Sequence, residues 1–228
     1  MALQDVLISE LRDIYSAENQ LVKALPKLAK GARNRELKQL FKDHLEETKG
    51  HVLRLREVFE HVGKKATGKH CTGMEGVIEE GAEQLEEDLP DASFDSGLIG
   101  AGLRTEHYEI ASYHAVIAMA KTLGMSDAVD LLKQNLQEEV EAAKKLQAAG
   151  KMLFKQATQE EEEDEDSKPA SKKSSKDKTS ERKSKQDERQ ASRDVEKKGS
   201  APKKKASADE DEEESEASFS EESESEEE

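Results

Sequence analysis

The sequence predicts an all-α fold: a four-helix bundle made of two antiparallel hairpins, with a short fifth helix in the crossover and a disordered C-terminal tail. Three observations carry this. Four long segments repeat apolar residues at alternating steps of four and three, the coiled-coil-like spacing of a helix face turned to a core. Two of the connections are only a few residues long, which leaves consecutive helices antiparallel. Beyond residue 155 the apolar periodicity stops.

The first segment runs from about Leu3 to Lys30, with Leu7, Leu11, Ile14, Glu18, Leu21, Leu25 and Leu28 on one face. Pro26 is expected to interrupt or kink its last turns. Gly31 to Asn34 make a tight turn, with Gly near the C-cap and Asn34 a suitable N-cap for the next helix. The second segment, about Arg35 to His61, carries Leu37, Phe41, His44, Glu47 or Thr48, His51, Leu55, Val58 and Val62. A Gly-, Lys- and Thr-rich loop over 63–73 leads to a short helix over 74–87, broken at Pro90. The third segment, about Phe94 to Leu123, aligns Leu98, Gly102, Glu106, Glu109, Tyr113, Val116 and Ala120. A second stripe of Leu103, His107, Ile110, His114 and Ile117 lies beside it. After a turn at Gly124 to Ser126, with Ser126 the expected N-cap, the fourth segment covers about Asp127 to Lys155. Its seam is Val129, Leu132, Leu136, Glu139, Ala143, Leu146, Gly150 and Leu153.

Charge divides the 228-residue chain in the same place. Residues 1–155 hold 21 basic against 26 acidic side chains and all six histidines; residues 156–228 hold 15 against 26, completing the net −16. The first region, 1–155, is long enough for one helical core. The second, 156–228, is a low-complexity run of Glu, Lys and Ser that cannot bury enough apolar surface to offset chain entropy, so disorder is expected. Cys71 is the single cysteine, so no intrachain disulfide forms, which fits a cytoplasmic protein. No signal sequence and no apolar run of ~18 residues is visible, so neither export nor a membrane span is expected. Neither the acidic balance nor any basic face in the bundle suits nucleic acid, despite Lys203 to Lys205. The acidic tip of the tail suits basic partners.

Each seam is apolar at its ends and polar in the middle. Glu18 lies 14 residues before residue 32, the middle of the first turn, and Glu47 lies 15 after it; Glu109 and Glu139 lie 15 either side of residue 124. Equal distance from a turn means equal height in a hairpin, roughly 22 Å along the axis at about 1.5 Å per residue. Four helices thus each offer a mid-length glutamate, with Glu106 one turn away from Glu109 and His44 one turn from Glu47. Ionised carboxylates gathered in a core need protons, water or cations. Two divalent cations would neutralise four of them, and oxygen-rich ligands suit iron or manganese. Ferritin-like dinuclear proteins use one Glu from each of two helices and Glu-x-x-His from the other two. Here the position three after Glu47 is Gly50 and three after Glu139 is Ala142. His44-x-x-Glu47 has the reversed order, and Glu106-x-x-Glu109 adds an acid.

The stretches Tyr15-Ser-Ala-Glu-Asn-Gln-Leu, His44-Leu-Glu-Glu-Thr, Met74-Glu-Gly-Val-Ile-Glu-Glu and Glu106-His-Tyr-Glu-Ile-Ala-Ser-Tyr resemble the signature segments of the YciE/YciF family of ferritin-like bacterial stress proteins. The resemblance covers residues 3–154 and none of the tail. It implies a ferritin-like bundle, often a homodimer, with a metal centre. Carried over residue by residue, it marks Glu18, Glu47, Glu106, Glu109, Glu139 and His44 as the metal-facing set. The function expected is a stress-associated protein whose carboxylate-bridged dinuclear Fe or Mn centre handles iron, oxygen or peroxide, with turnover left open. The alternative is a non-enzymatic dimeric bundle whose polar, metal-free layer fixes helix register. His51 is expected to be packed or hydrogen-bonded rather than a ligand, His107 and His114 to serve packing or a subunit interface, Glu46 and Glu138 to face solvent, and Cys71 to be structural. Tyr15 and Tyr113 are either donors to the acids or ordinary core aromatics.

Overall fold

A computed structural model describes residues 2–166. The expected disordered tail lies outside the described residues from position 167 onward. Five helices are present: α1 (Leu3–Gly31), α2 (Arg35–His61), α3 (Thr72–Gln84), α4 (Asp91–Thr122) and α5 (Ser126–Asp166). No strand occurs among the described residues.

α1 packs on α2 and α4 on α5 as hairpins, while α2 against α5 and α1 against α4 close the four-helix ring. α3 lies across α1 and α4 on the outside. The first hairpin turns on Asn34, whose side-chain oxygen accepts from the N–H groups of Glu36 (2.8 Å) and Leu37 (3.0 Å). The second turns on Gly124, whose φ of +71° is open to a residue without a Cβ. Asp95, buried near the start of α4, accepts from the backbone N–H groups of Arg33 and Asn34 and so ties the first turn to the second hairpin.

The core has two apolar halves. One joins Leu21 and Leu25 of α1, Leu37 and Phe41 of α2, Leu98 and Ile99 of α4, and Leu146 and Leu153 of α5. The other joins Leu7 and Leu11, Leu55 and Phe59, Tyr113 and Val116, and Val129 and Leu132. α2 therefore ends in the second half and α4 begins in the first, so the connection between them travels the length of the bundle. Two hairpins joined by one long crossover is the ferritin-like topology.

Two expectations are corrected. α1 continues through Pro26 without interruption. Pro26 is on the exposed face, where water can satisfy the Val22 carbonyl it leaves unpaired. α5 does not stop near Lys155 but runs to Asp166. Gln, Ala and Glu in this stretch are good helix formers, and the extension has a docking point. The N-cap of α4 is Pro90, which offers no side-chain acceptor. The carboxylate of Glu160 takes the Ala92 N–H instead, at 3.1 Å, favourably placed at the positive end of α4.

A candidate metal centre between the two halves of the core

Between the apolar halves lies a polar layer formed by Glu18, His44, Thr48, His51, Glu106, Glu109, Asn135 and Glu139, all buried. Every long helix contributes to it. α1 brings Glu18, α2 the two histidines, α4 Glu106 and Glu109, and α5 Glu139. They sit in the middle of their seams because the apolar residues on either side fix each helix lengthwise.

Two groups of side chains could each hold a cation. In the first, ligand atoms of His44, Glu106, Glu109 and Glu139 lie within 4.8 Å of one another; in the second, those of Glu18, His51 and Glu139 do so. Glu139 belongs to both. His44 Nε2 is 3.4 Å from Glu106 Oε1 and 3.7 Å from Glu139 Oε2. His51 Nδ1 is 2.8 Å from Glu139 Oε1 and 3.3 Å from Glu18 Oε1, directions that make no hydrogen bond. Both oxygens of Glu109, both of Glu139, one each of Glu18 and Glu106, and the inner nitrogens of His44 and His51 are buried without hydrogen-bond partners. Buried polar atoms left without hydrogen bonds in such number are costly, and they all belong to types that bind metals.

The electrostatics agree. Burial, then the neighbouring carboxylates, pushes the carboxyl groups of Glu106 and Glu109 well above the ordinary range. Burial raises Glu18 as well, against the pull of His51. Burial also works to raise Glu139, but the contact with His51 and the charges of His44 and His51 outweigh it and leave Glu139 lowered. His51 is pulled down by burial and pushed up by Glu18, Glu138 and Glu139, which prevail at about 12. The raised carboxyl groups mark the cost of gathering like charges in a buried layer, a cost that protons or cations relieve.

Other side chains orient these groups. The Tyr113 hydroxyl donates to Glu18 Oε1 and accepts from Asn135 Nδ2 at 2.8 Å. Arg54 donates to Asn135 Oδ1 and to Glu138, and Glu138 meets His51 Nε2 at 2.9 Å. His51 is therefore held from behind by a carboxylate, the arrangement that fixes ring orientation at metal sites. Tyr113 is a donor to the layer. Tyr15 is not among its partners: its ring packs edge-on against Phe59 at 5.8 Å.

Of the residues singled out from sequence, Glu18, Glu106, Glu109, Glu139 and His44 come together. Glu47 does not reach the layer: its side chain is 30% exposed and pairs with His44 Nδ1 at 3.5 Å and Lys145 Nζ at 3.3 Å. The reason lies in the seam itself. Steps of three and four along 37, 41, 44, 48, 51 and 55 select Thr48, and Glu47 stands about 100° round the helix from it. His51, expected from sequence to be packed or hydrogen-bonded rather than a ligand, is hydrogen-bonded to Glu138 through Nε2 and turns Nδ1 to Glu18 and Glu139. The same periodicity was the available signal, since 44 and 51 occupy equivalent seam positions. Glu138 is half-buried behind His51 rather than solvated. His107 and His114 are exposed. Cys71, buried, caps α3 and donates its thiol to Asp13 at 3.0 Å, and burial raises its pKa, which fits a structural thiol.

A helical bundle with one long crossover and a mid-bundle layer of glutamates and histidines defines a ferritin-like protein. The chain belongs to the family described as the domain of unknown function DUF892, which matches residues 2–160. It is 44% identical to Protein YciF of Escherichia coli strain K12 over 138 residues, 60% of this chain and 83% of that protein. The crystal structure of the E. coli stress protein YciF superposes with a TM-score of 0.66 at 41% identity, covering 68% of this chain and 98% of that one. YcfI of Rhodopseudomonas palustris, provisionally described as a structural protein, gives 0.63 at 41% identity, covering 64% and 94%. A Xanthomonas campestris protein at 22% identity shares the fold, with a TM-score of 0.55 over 71% of this chain and 99% of that one. No helix among the described residues is long and apolar enough to cross a membrane.

Proposed function

We propose that this bundle is a stress-associated metal protein holding two iron or manganese ions in its polar layer. The observation that carries the reading is the pair of ligand sets sharing Glu139, filled with buried atoms that have no hydrogen-bond partner. His44, Glu106, Glu109 and Glu139 would hold one ion and Glu18, His51 and Glu139 the other, Glu139 being common to both sets. Four carboxylates balance two divalent charges, and an oxygen-rich set with some nitrogen suits iron or manganese. Cations held there would compete with protons for His51, Glu106 and Glu109, so uptake would release protons. Tyr113 and Asn135 keep Glu18 oriented, Glu138 keeps His51 oriented, and the apolar halves above and below exclude water. The bound metal would supply redox chemistry toward oxygen or peroxide.

The test is metal analysis after loading with Fe2+ or Mn2+ under anaerobic conditions. About two ions per chain, lost in the Glu18→Ala/Glu139→Ala double variant, is the expected result. A second reading draws on the Tyr113–Glu18 and Asn135–Tyr113 hydrogen bonds, which satisfy part of the layer without any ion, and on the structural description of YcfI. There the layer serves only to fix helix register in a non-enzymatic bundle. A protein that stays folded and metal-free after loading supports that reading and contradicts the first.

A further inference from the structure

We infer that cations enter the layer through a cleft between α2 and α5, and that Glu47 passes them inward under the control of Lys145. This rests on the metal reading above. A cavity of about 20 Å³ is lined by Asp43, His44, Glu47, Glu106, Lys145 and neighbouring apolar side chains, so its wall includes both surface residues and residues of the layer. Its outer residues are the exposed Asp43 and the half-buried Glu47 and Lys145. Its inner residues are His44 and Glu106, 5% and 2% exposed, each with a buried polar atom that has no hydrogen-bond partner.

The volume is about that of one water molecule. A hydrated divalent cation cannot pass intact, so it must exchange water for protein oxygens at the mouth. Asp43 and Glu47 supply those oxygens. Glu47 faces both ways: one oxygen lies 3.5 Å from His44 Nδ1, the other 3.3 Å from Lys145 Nζ. It can hand a cation from the mouth across the cavity toward Glu106, which lines the same space from the layer side, without being one of the buried ligands, which fits its absence from both ligand sets. Lys145 opposes this in two ways. Its ammonium occupies a Glu47 oxygen, and its charge repels an approaching cation. A pair this exposed is weak and exchanges readily, so the block slows entry without closing the path.

The experiment follows anaerobic Fe2+ uptake by the full-length protein, stopped at intervals with a chromogenic chelator that reads the iron still free. Lys145→Met is expected to load faster and Glu47→Gln slower, each by about tenfold, with the same final iron per chain as the parent protein. Lys144→Met, removing an exposed lysine on the same helix that pairs with Glu141, is expected to load at the parent rate. Full loading at unchanged rates in the Lys145 and Glu47 variants overturns the gate alone. So does an equal gain in Lys144→Met, which would reduce the effect to bulk charge. Lower final iron in Glu47→Gln makes Glu47 a resident ligand and overturns its transfer role. No iron in the parent protein overturns the metal reading and the gate with it.

Discussion

Glu139 belongs to both ligand sets and Glu18 to one, so single substitutions at these positions should differ in what they remove. Glu139→Ala is expected to abolish binding at both positions, and Glu18→Ala to leave about half the metal, as read by elemental analysis of loaded protein. The metal-free protein should also have a characteristic pH dependence. Glu106 and Glu109 are raised above 4.5 by burial first and by neighbouring carboxylates second. Above 4.5 the folded chain holds protons that the unfolded chain has lost, so stability falls as pH rises. His51, raised from 6.5 to about 12, contributes fully below 6.5 and loses its contribution as pH climbs toward 12. Glu47 and Glu138, lowered chiefly by contacts with His44 and His51, lose theirs only as pH falls below 4.5. The melting temperature of metal-free protein should therefore drop between about pH 6 and about pH 9. Loaded protein should drop less, because cations replace the protons. A metal-free melting temperature that rises over this range would contradict the account of the layer.

At the scale of helices, the first turn and the start of α4 stabilise each other. Asn34→Ala removes the cap of α2 and is expected to cost about 1 kcal/mol. Asp95→Ala leaves two backbone N–H groups of the turn without their acceptor and should cost more, about 2 kcal/mol, in denaturant unfolding. Helix positions and the polar gap in each seam were legible in the sequence because periodicity reports which residues share a face. The Asn34 cap was legible for the same local reason. The choice between Glu47 and Thr48 was legible only over the whole length of α2. Both sit near the seam, equal height in the hairpin favours Glu47, and the run of threes and fours on either side selects Thr48. The hydrogen-bonded histidine expected at 51 is present, paired with Glu138, but its approach to Glu18 and Glu139 depends on what α1 and α5 bring opposite it, which the α2 pattern alone does not report. The extension of α5 was hidden by its charge: its end is docked by a contact between Glu160 and Ala92, 68 positions apart, which no local pattern reveals.

For the whole molecule, the ferritin-like arrangement follows from hairpin lengths and one long crossover, and the family match covers residues 2–160. The E. coli YciF structure is covered over 98% of its length by 68% of this chain. A truncated chain ending at 169 should therefore fold alone and melt within about 2 °C of the full-length protein. A larger drop would give the acidic tail a part in stability. The expected homodimer would show a mass twice 25.3 kDa by light scattering, and a monomeric mass would contradict it. The central claim, that glutamates and histidines from four helices meet to hold two cations, is tested most directly by anomalous diffraction from crystals grown with Fe2+. The account predicts two iron peaks flanking the Glu139 carboxylate, one toward His44, Glu106 and Glu109 and one toward Glu18 and His51. A layer with no peak, or iron found only at surface carboxylates, would contradict it.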